Sequence, residues 1–408
     1  MKRRETAVLI TVVIGVVILA VVMYKMSAAG DSRPGFKLAL PAGAEAVFEG
    51  PTRISSSRSG LFEWTLTCQG LTFYKDRGLV EVSSPFASIP VQDGGTALVE
   101  AVRGSFYQES EDIVLSDGVR ITLNRDGRLE WVIDGDTASH RKDQDTFYIS
   151  GVEGLLYPPP GGGDTLSGGD TFGDALVSGG EQMVELSGKR GRYHGPSRIM
   201  QIDDEVKIVI HREGEKQWTL FGSNAAYHEE PEIYYISGLD GWMHQPEGEG
   251  TRVQAEMAWF ENRTRIMRLE REVRIQFKQE GEKEWVLNGD TASFHQDREE
   301  FFISRLIGVE KGPEPVEVRA ERANYRSREK IMRLYRNVVC RFGDGIRLMS
   351  EWLDYDENTG KARTEERVTV EGKGWRLEGI GLEADTNTRK VTVKKSVKVR
   401  LEEGFSAN

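Results

Sequence analysis

Asp136 and Asp290 stand in the same five residues, GDTAS, at Gly135–Ser139 and Gly289–Ser293. Two carboxylates in matching settings are the raw material of general acid–base catalysis. Both belong to a longer stretch that recurs. WVIDGDTASHRKDQDTFYIS (Trp131–Ser150) returns as WVLNGDTASFHQDREEFFIS (Trp285–Ser304), with 11 of 20 positions identical. A third copy is WTLFGSNAAYHEEPEIYYIS (Trp218–Ser237). The aspartates therefore repeat because their unit repeats, and Asp beside Gly is ordinary turn chemistry.

The other reactive residue types are as plainly placed. The six histidines (His140, His194, His211, His228, His244 and His295) show no metal-ligand spacing. Cys68 and Cys340 form no C-x-x-C pair, and their contexts, TLTCQG and VVCRFG, read as strands, so both are expected unpaired. Gly161-Gly162-Gly163-Asp164 lacks the Lys-Ser/Thr and the helix of a phosphate cradle. Asn262-Arg263-Thr264 matches a glycosylation sequon and carries little weight. No catalytic residue, metal site or cofactor is predicted, and the chain does not read as an enzyme. A wall- or glycan-acting enzyme would need a clustered polar site, and none is visible.

The repeated stretch is an architectural element. Each copy has Trp-x-Leu/Ile, a polar turn region, an aromatic or His nine residues after the Trp, and Phe/Tyr sixteen after it. Taking the Trp as position zero, further copies start at Trp64, Ala97, Trp131, Val184, Trp218, Thr251, Trp285, Val316, Ile346 and Trp375. Position nine is Phe or Tyr in eight of these ten, whereas aromatic residues make up 9% of the chain. His140 occupies that column, which gives it a packing role. Position sixteen is almost wholly apolar. Six units add a valine at position twenty-two (Val119, Val206, Val273, Val338, Val368 and Val397), each opening an alternating run. Alternation turns one side chain inward and the next outward. The fold predicted is all-β and elongated, two facing antiparallel sheets built from about ten repeated two-strand units. Ten rungs at about 4.8 Å would make a trough roughly 48 Å long if the stack is continuous.

The ends and joints of the chain read separately. Net charge is −11, which argues against nucleic acid as a partner. Residues 1–6 carry Lys2, Arg3 and Arg4, which predicts a cytoplasmic N-terminus. Residues 7–26 hold the uncharged run Ala7–Tyr24, about 27 Å as a helix and close to a bilayer core. A transmembrane anchor is favoured by its length; Ser27-Ala28-Ala29 keeps a cleavable signal peptide as the alternative. Residues 27–63 read as tether and lead-in strands, 64–157 as the first β part, and 184–403 as the second, with a tail at 404–408. Between the two parts, 158–183 is a Gly/Pro-rich linker or loop. The basic residues around Val391–Leu401 either shield a terminal strand edge or offer it for docking by strand addition.

The half-unit Ala255-Glu-Met-Ala-Trp-Phe260…Ile266-Met-Arg-Leu269…Val273, repeated as Val318-Arg-Ala-Glu-Arg-Ala-Asn-Tyr325…Ile331-Met-Arg-Leu334…Val338, resembles the OstA-like repeat of lipopolysaccharide-export proteins. With one N-terminal membrane helix, the chain resembles the LptC-like membrane-anchored periplasmic bridge family over residues 1–26 and 64–403. The resemblance implies an open, V-shaped β-jellyroll behind the helix, with lipid acyl chains passing along an apolar groove toward the outer membrane. It implies lipopolysaccharide or a similar lipid as cargo, with inner-membrane ABC transporter subunits and a periplasmic β-jellyroll protein as partners. It places the chain in the Gram-negative inner membrane as a single-pass protein, bulk periplasmic. By parity, groove-lining positions are Trp131, Ile133, Phe147, Ile149, Trp218, Leu220, Tyr234, Ile236, Trp285, Leu287, Phe301 and Ile303. The chain departs from the family in length, with about twice the usual rungs. The competing reading is a non-enzymatic structural β-solenoid scaffold of the cell envelope with a closed core.

Overall fold

The computed structural model describes residues 43–157 and 182–401, short turn segments within them excepted. The predicted membrane span at 7–26 and nearly all of 158–183 lie outside the described residues. Among the described residues, every element of regular structure longer than a turn is a β-strand.

The chain divides into two compact units between Glu215 and Lys216. The first contains β1 (Ala46–Arg58), β2 (Leu61–Tyr74), β3 (Leu79–Ser83), β4 (Phe86–Pro90), β5 (Gly95–Glu100), β6 (Arg103–Tyr107), β7 (Asp112–Arg125), β8 (Arg128–Arg141), β9 (Thr146–Leu156), β10 (Gln182–His194) and β11 (Ile199–Arg212). The second contains β12 (Glu215–His228), β13 (Ile233–Met243), β14 (Thr251–Glu261), β15 (Ile266–Lys278), β16 (Glu284–His295), β17 (Glu300–Lys311), β18 (Val316–Arg326), β19 (Ile331–Phe342), β20 (Arg347–Asp356), β21 (Lys361–Gly372), β22 (Trp375–Asp385) and β23 (Lys390–Leu401). In the second unit each strand pairs antiparallel with the next.

The ten-unit register of the sequence is a hairpin register. Positions nine and sixteen face each other directly in all ten units, from Phe73↔Val80 and Phe106↔Ile113 to Tyr325↔Met332 and Ala384↔Val391. His140↔Phe147, Tyr227↔Tyr234 and Phe294↔Phe301 bring rings to 4.4–4.5 Å across their hairpins. Aromatic cross-strand pairs of this kind stabilise a sheet by about 0.2–1 kcal/mol each.

The polar stretch GDTAS is not a turn between strands. It lies in the middle of β8 and of β16, where each strand bends. The turns fall further on, between positions ten and fifteen. What made the stretch look like a turn is a glycine required for another reason. A Cβ on Gly135 would lie 2.5 Å from Ile149 Cγ2, and one on Gly289 would lie 2.6 Å from Ile303 Cγ2 and 2.8 Å from the Ser304 carbonyl oxygen. The position-eighteen isoleucine of the next strand occupies the space a side chain would need. On the outer face beside it, the hydroxyls of Thr137 and Ser150 are 2.7 Å apart, and those of Thr291 and Ser304 2.6 Å. The repeated letters of the motif are therefore partners of one another across a hairpin.

The returning strands bend too. Two consecutive residues take left-handed backbone at Asp204–Glu205, Arg271–Glu272 and Arg336–Asn337, with φ between 51° and 62°. Such a conformation costs a non-glycine residue about 1 kcal/mol. The valine at position twenty-two follows at once, and Val206, Val273 and Val338 are buried to within 1% of full burial. Burying a valine stabilises by roughly 1.5 kcal/mol or more, enough to offset much of the bend.

The bends fold each unit into two facing layers. Trp218 on β12 and Phe294 on β16 would be roughly 19 Å apart across four strands of a flat sheet. Their ring centroids are 5.6 Å apart. Phe277 on β15 meets Tyr325 on β18 at 5.0 Å, and Trp285 on β16 meets Tyr355 on β20 at 6.5 Å. In every case the two residues sit on opposite sides of their strands' bends. Trp131 on β8 and Tyr193 on β10, at 6.3 Å, repeat the arrangement in the first unit.

Residues on either side of 158–181 pair directly: β9 and β10 are antiparallel neighbours, with Leu156↔Val184 and Phe147↔Tyr193. The Gly/Pro-rich segment thus connects adjacent strands of one unit, and lengthening such a connection costs little closure entropy. If the position-four glycine is set by packing, Gly289→Ala should lower the unfolding free energy by about 1–3 kcal/mol. Urea denaturation of the purified protein checks this; an unchanged midpoint would mean the isoleucine yields freely.

Candidate functional site

The residues first suspected of chemistry are occupied structurally. Asp290 is ion-paired with Arg305 on the outer face, and Asp136 is exposed. His140 is buried with its ring 4.5 Å from Phe147. Cys68 and Cys340 are free and buried. Burial pushes the Cys340 thiol up to about 12, and the Cys68 thiol is raised for the same reason. Neither is a thiolate at neutral pH.

The two units differ in how their interiors are filled. In the second, Trp218, Leu220, Phe294, Leu306, Met332 and Leu334 are almost completely inaccessible, and the cavity beside Trp285, Cys340 and Tyr355 measures about 40 Å³. The first holds an apolar cavity of about 160 Å³ between its two layers. One wall is a row of directly opposed residues on five neighbouring strands: Val80 on β3, Phe106 on β6, Ile113 on β7, His140 on β8 and Phe147 on β9. Leu71 on β2 extends that wall, and Leu66, Ala87, Ile89, Val99 and Ile121 form the facing one. Counted from β2 to β9, the wall spans roughly 24 Å along the stack.

The irregular strands of the first unit build this space. β3 and β4 form one interrupted strand along β2, and β5 and β6 form another along β7. Pro85 stands at the first interruption and has no N–H for a ladder. Two backbone bonds close the corner, with Ser84 N–H donating to Val102 O (2.7 Å) and Ala101 N–H to Pro85 O (3.2 Å). Leu66, Leu71, Val82, Val99, Phe106, Ile113 and Leu115 are left half-buried, although they point between the layers. An apolar concavity lined by incompletely buried side chains is suited to an apolar ligand. Its polar lining consists of Glu100, Ser105, Ser139 and His140.

The twelve positions predicted from parity divide between these environments. Ile133, Ile149, Trp218, Leu220, Tyr234, Ile236, Trp285, Leu287, Phe301 and Ile303 are buried, while Trp131 and Phe147 are half-buried. Of the twelve, Phe147 borders the apolar cavity of the first unit. Ala138, Ser139 and His140 join Phe147 from the Trp131 copy, and the rest of the lining comes from the more degenerate copies that start at Trp64 and Ala97. The signal available in sequence was the column itself, since Val80, Phe106 and Ile113 hold its ninth and sixteenth positions.

A family model described as lipopolysaccharide-assembly, LptC-related, matches residues 12–126 and 274–402, together more than half of the chain. No curated protein matches. One matched stretch falls in each compact unit, and the first contains the cavity lining from Leu66 to Ile121.

The contrast between the interiors has a stability consequence. Leu287→Ala, at a fully buried position, should destabilise by about 3–4 kcal/mol, and Leu115→Ala, on the cavity wall, by about 1 kcal/mol. Equal losses in urea unfolding would show that the cavity wall is packed as tightly as the core.

Proposed function

Because the chain belongs to the LptC-related lipopolysaccharide-assembly family, a transport family of the Gram-negative envelope and not an enzyme family, we propose that it sheathes an acyl chain of lipopolysaccharide in the apolar cavity of its first unit. The observation that carries this reading is the cavity itself, about 160 Å³ with half-buried apolar walls, whose lining from Leu66 to Ile121 falls in the stretch the family model covers. Removing a chain from water is favourable by about 0.8 kcal/mol per methylene. Such a site needs no reactive group, which fits the structural occupation of Asp290, His140 and Cys340.

In this reading residues 7–26 anchor the chain once in the inner membrane, with the N-terminus cytoplasmic and both β units in the periplasm. Cargo arrives from inner-membrane ABC transporter subunits and leaves toward a periplasmic β-jellyroll partner. The partner docks at β23, which pairs only with β22 among the described strands. Val397 holds the position-twenty-two column that is buried in Val273, Val338 and Val368, yet it is 48% exposed, and Val399 and Leu401 are more so. An inward column left uncovered is an unfinished rung, and strand addition would complete it. Lys394 is tied to Glu365 at 2.7 Å, and Lys390, Lys395, Lys398 and Arg400 deter indiscriminate pairing.

The tight interior of the second unit favours a second role there, that of a structural scaffold, unless its layers part to admit lipid along Trp218, Tyr234, Trp285 and Phe301. A photo-crosslinking residue placed in living cells separates these possibilities. Adducts with lipopolysaccharide are expected at Phe106 and Leu115 and not at outward Arg274. Adducts at Trp218 or Phe301 would extend the lipid path into the second unit, and their absence would leave that unit a scaffold. No adduct at Phe106 or Leu115 would contradict the reading. Deleting Val391–Asn408 should abolish capture of the periplasmic partner in pull-downs; unchanged capture would refute docking at β23.

A further inference from the structure

The cavity has an end. Along its wall the opposed row runs Val80, Phe106, Ile113, His140, Phe147, and its next member is Tyr193 on β10. At Tyr193 the two layers come together, because Trp131 reaches its ring from the opposite layer at 6.3 Å. Ile133 and Ile149, two residues along β8 from Trp131 and two along β9 from Phe147, are buried. Phe147 stands in front of this junction. It is only half-buried, whereas Phe301, its counterpart in the second unit, is 2% exposed with packing on all sides. The difference is the empty space that Phe147 faces, with the His140 ring 4.5 Å away as its neighbour on the wall.

We propose that Phe147, backed by the Trp131–Tyr193 contact, is the end wall of the cavity and sets the length of acyl chain that the first unit accepts. The inference rests on the reading of the cavity as an acyl-chain site. A chain lying along the wall gains burial with each methylene until its terminus meets Phe147. Beyond that point further methylenes stay in water or force the Trp131–Tyr193 junction apart. Phe147 and Ile113 are thus length-determining residues: shortening the first deepens the pocket, and enlarging the second, which lies mid-wall between Phe106 and His140, makes it shallower.

The test uses the full chain in nanodiscs with a chain-length series of diazirine-tagged fatty acids, scoring adducts mapped to peptides of the first unit. For the unaltered protein, apparent affinity referred to the free aqueous probe should rise about fourfold per methylene and then level off. In Phe147→Ala the plateau should move to longer probes, and in Ile113→Phe to shorter ones. An unfolded variant loses capture at every length, while a shallower pocket retains the short probes, so the two cases are distinct. Plateaus that coincide in all three proteins, or a rise without a plateau in the unaltered one, would overturn the end wall while leaving an acyl-chain site in place. Absence of first-unit adducts at every length in the unaltered protein would overturn both.

Discussion

The opposition of position nine and position sixteen across every hairpin is the constraint on which the rest of the molecule depends. It fixes strand register, and a slip of one residue would turn the whole inward set to solvent. With register fixed, the inward columns form continuous apolar stripes on long strands. One long strand cannot bury a stripe against itself, so it bends, and the two arms cover each other. The position-four glycine and the left-handed pairs before position twenty-two are the local devices that permit the bend. Contacts such as Trp218–Phe294 and Phe277–Tyr325 are its result.

Much of this was legible in the letters. Ten copies in register gave an all-β stack of two-strand units with inward aromatic columns, and the hairpins place those columns face to face. The reading failed where one residue type serves two purposes. Gly beside Asp signals a turn, yet Gly135 and Gly289 are glycine because an isoleucine of the neighbouring strand fills the volume of a side chain. Nothing in a single sequence reports that neighbour. The left-handed pairs were invisible for a related reason: Asp204–Glu205 and Arg271–Glu272 are charged residues without a turn signature, held in place by the buried valines that follow.

The candidate site was legible only in outline. Parity identified which side chains point inward, but an inward side chain can pack or can line a space, and the choice depends on how closely the two layers approach. In the second unit complete copies of the motif bring Trp, Phe and Tyr from both layers into contact. In the first, interrupted strands and the smaller residues Ala87, Val99 and Gly104 leave a gap. Most of the site lies where the chain departs from the repeat, and the preserved Trp131 copy closes one side of it with His140 and Phe147. Membership of the lipopolysaccharide-assembly family is the ground for proposing that this gap takes an acyl chain.

Native mass spectrometry of the full chain purified from cells asks whether the first unit's cavity holds an acyl chain of lipopolysaccharide. Bound lipopolysaccharide is expected on the unaltered protein and is expected to be lost from a folded Leu115→Trp variant, in which the added ring fills the cavity. A lipid-free unaltered protein, or equal lipid on the filled variant, would contradict the reading of the cavity as an acyl-chain site.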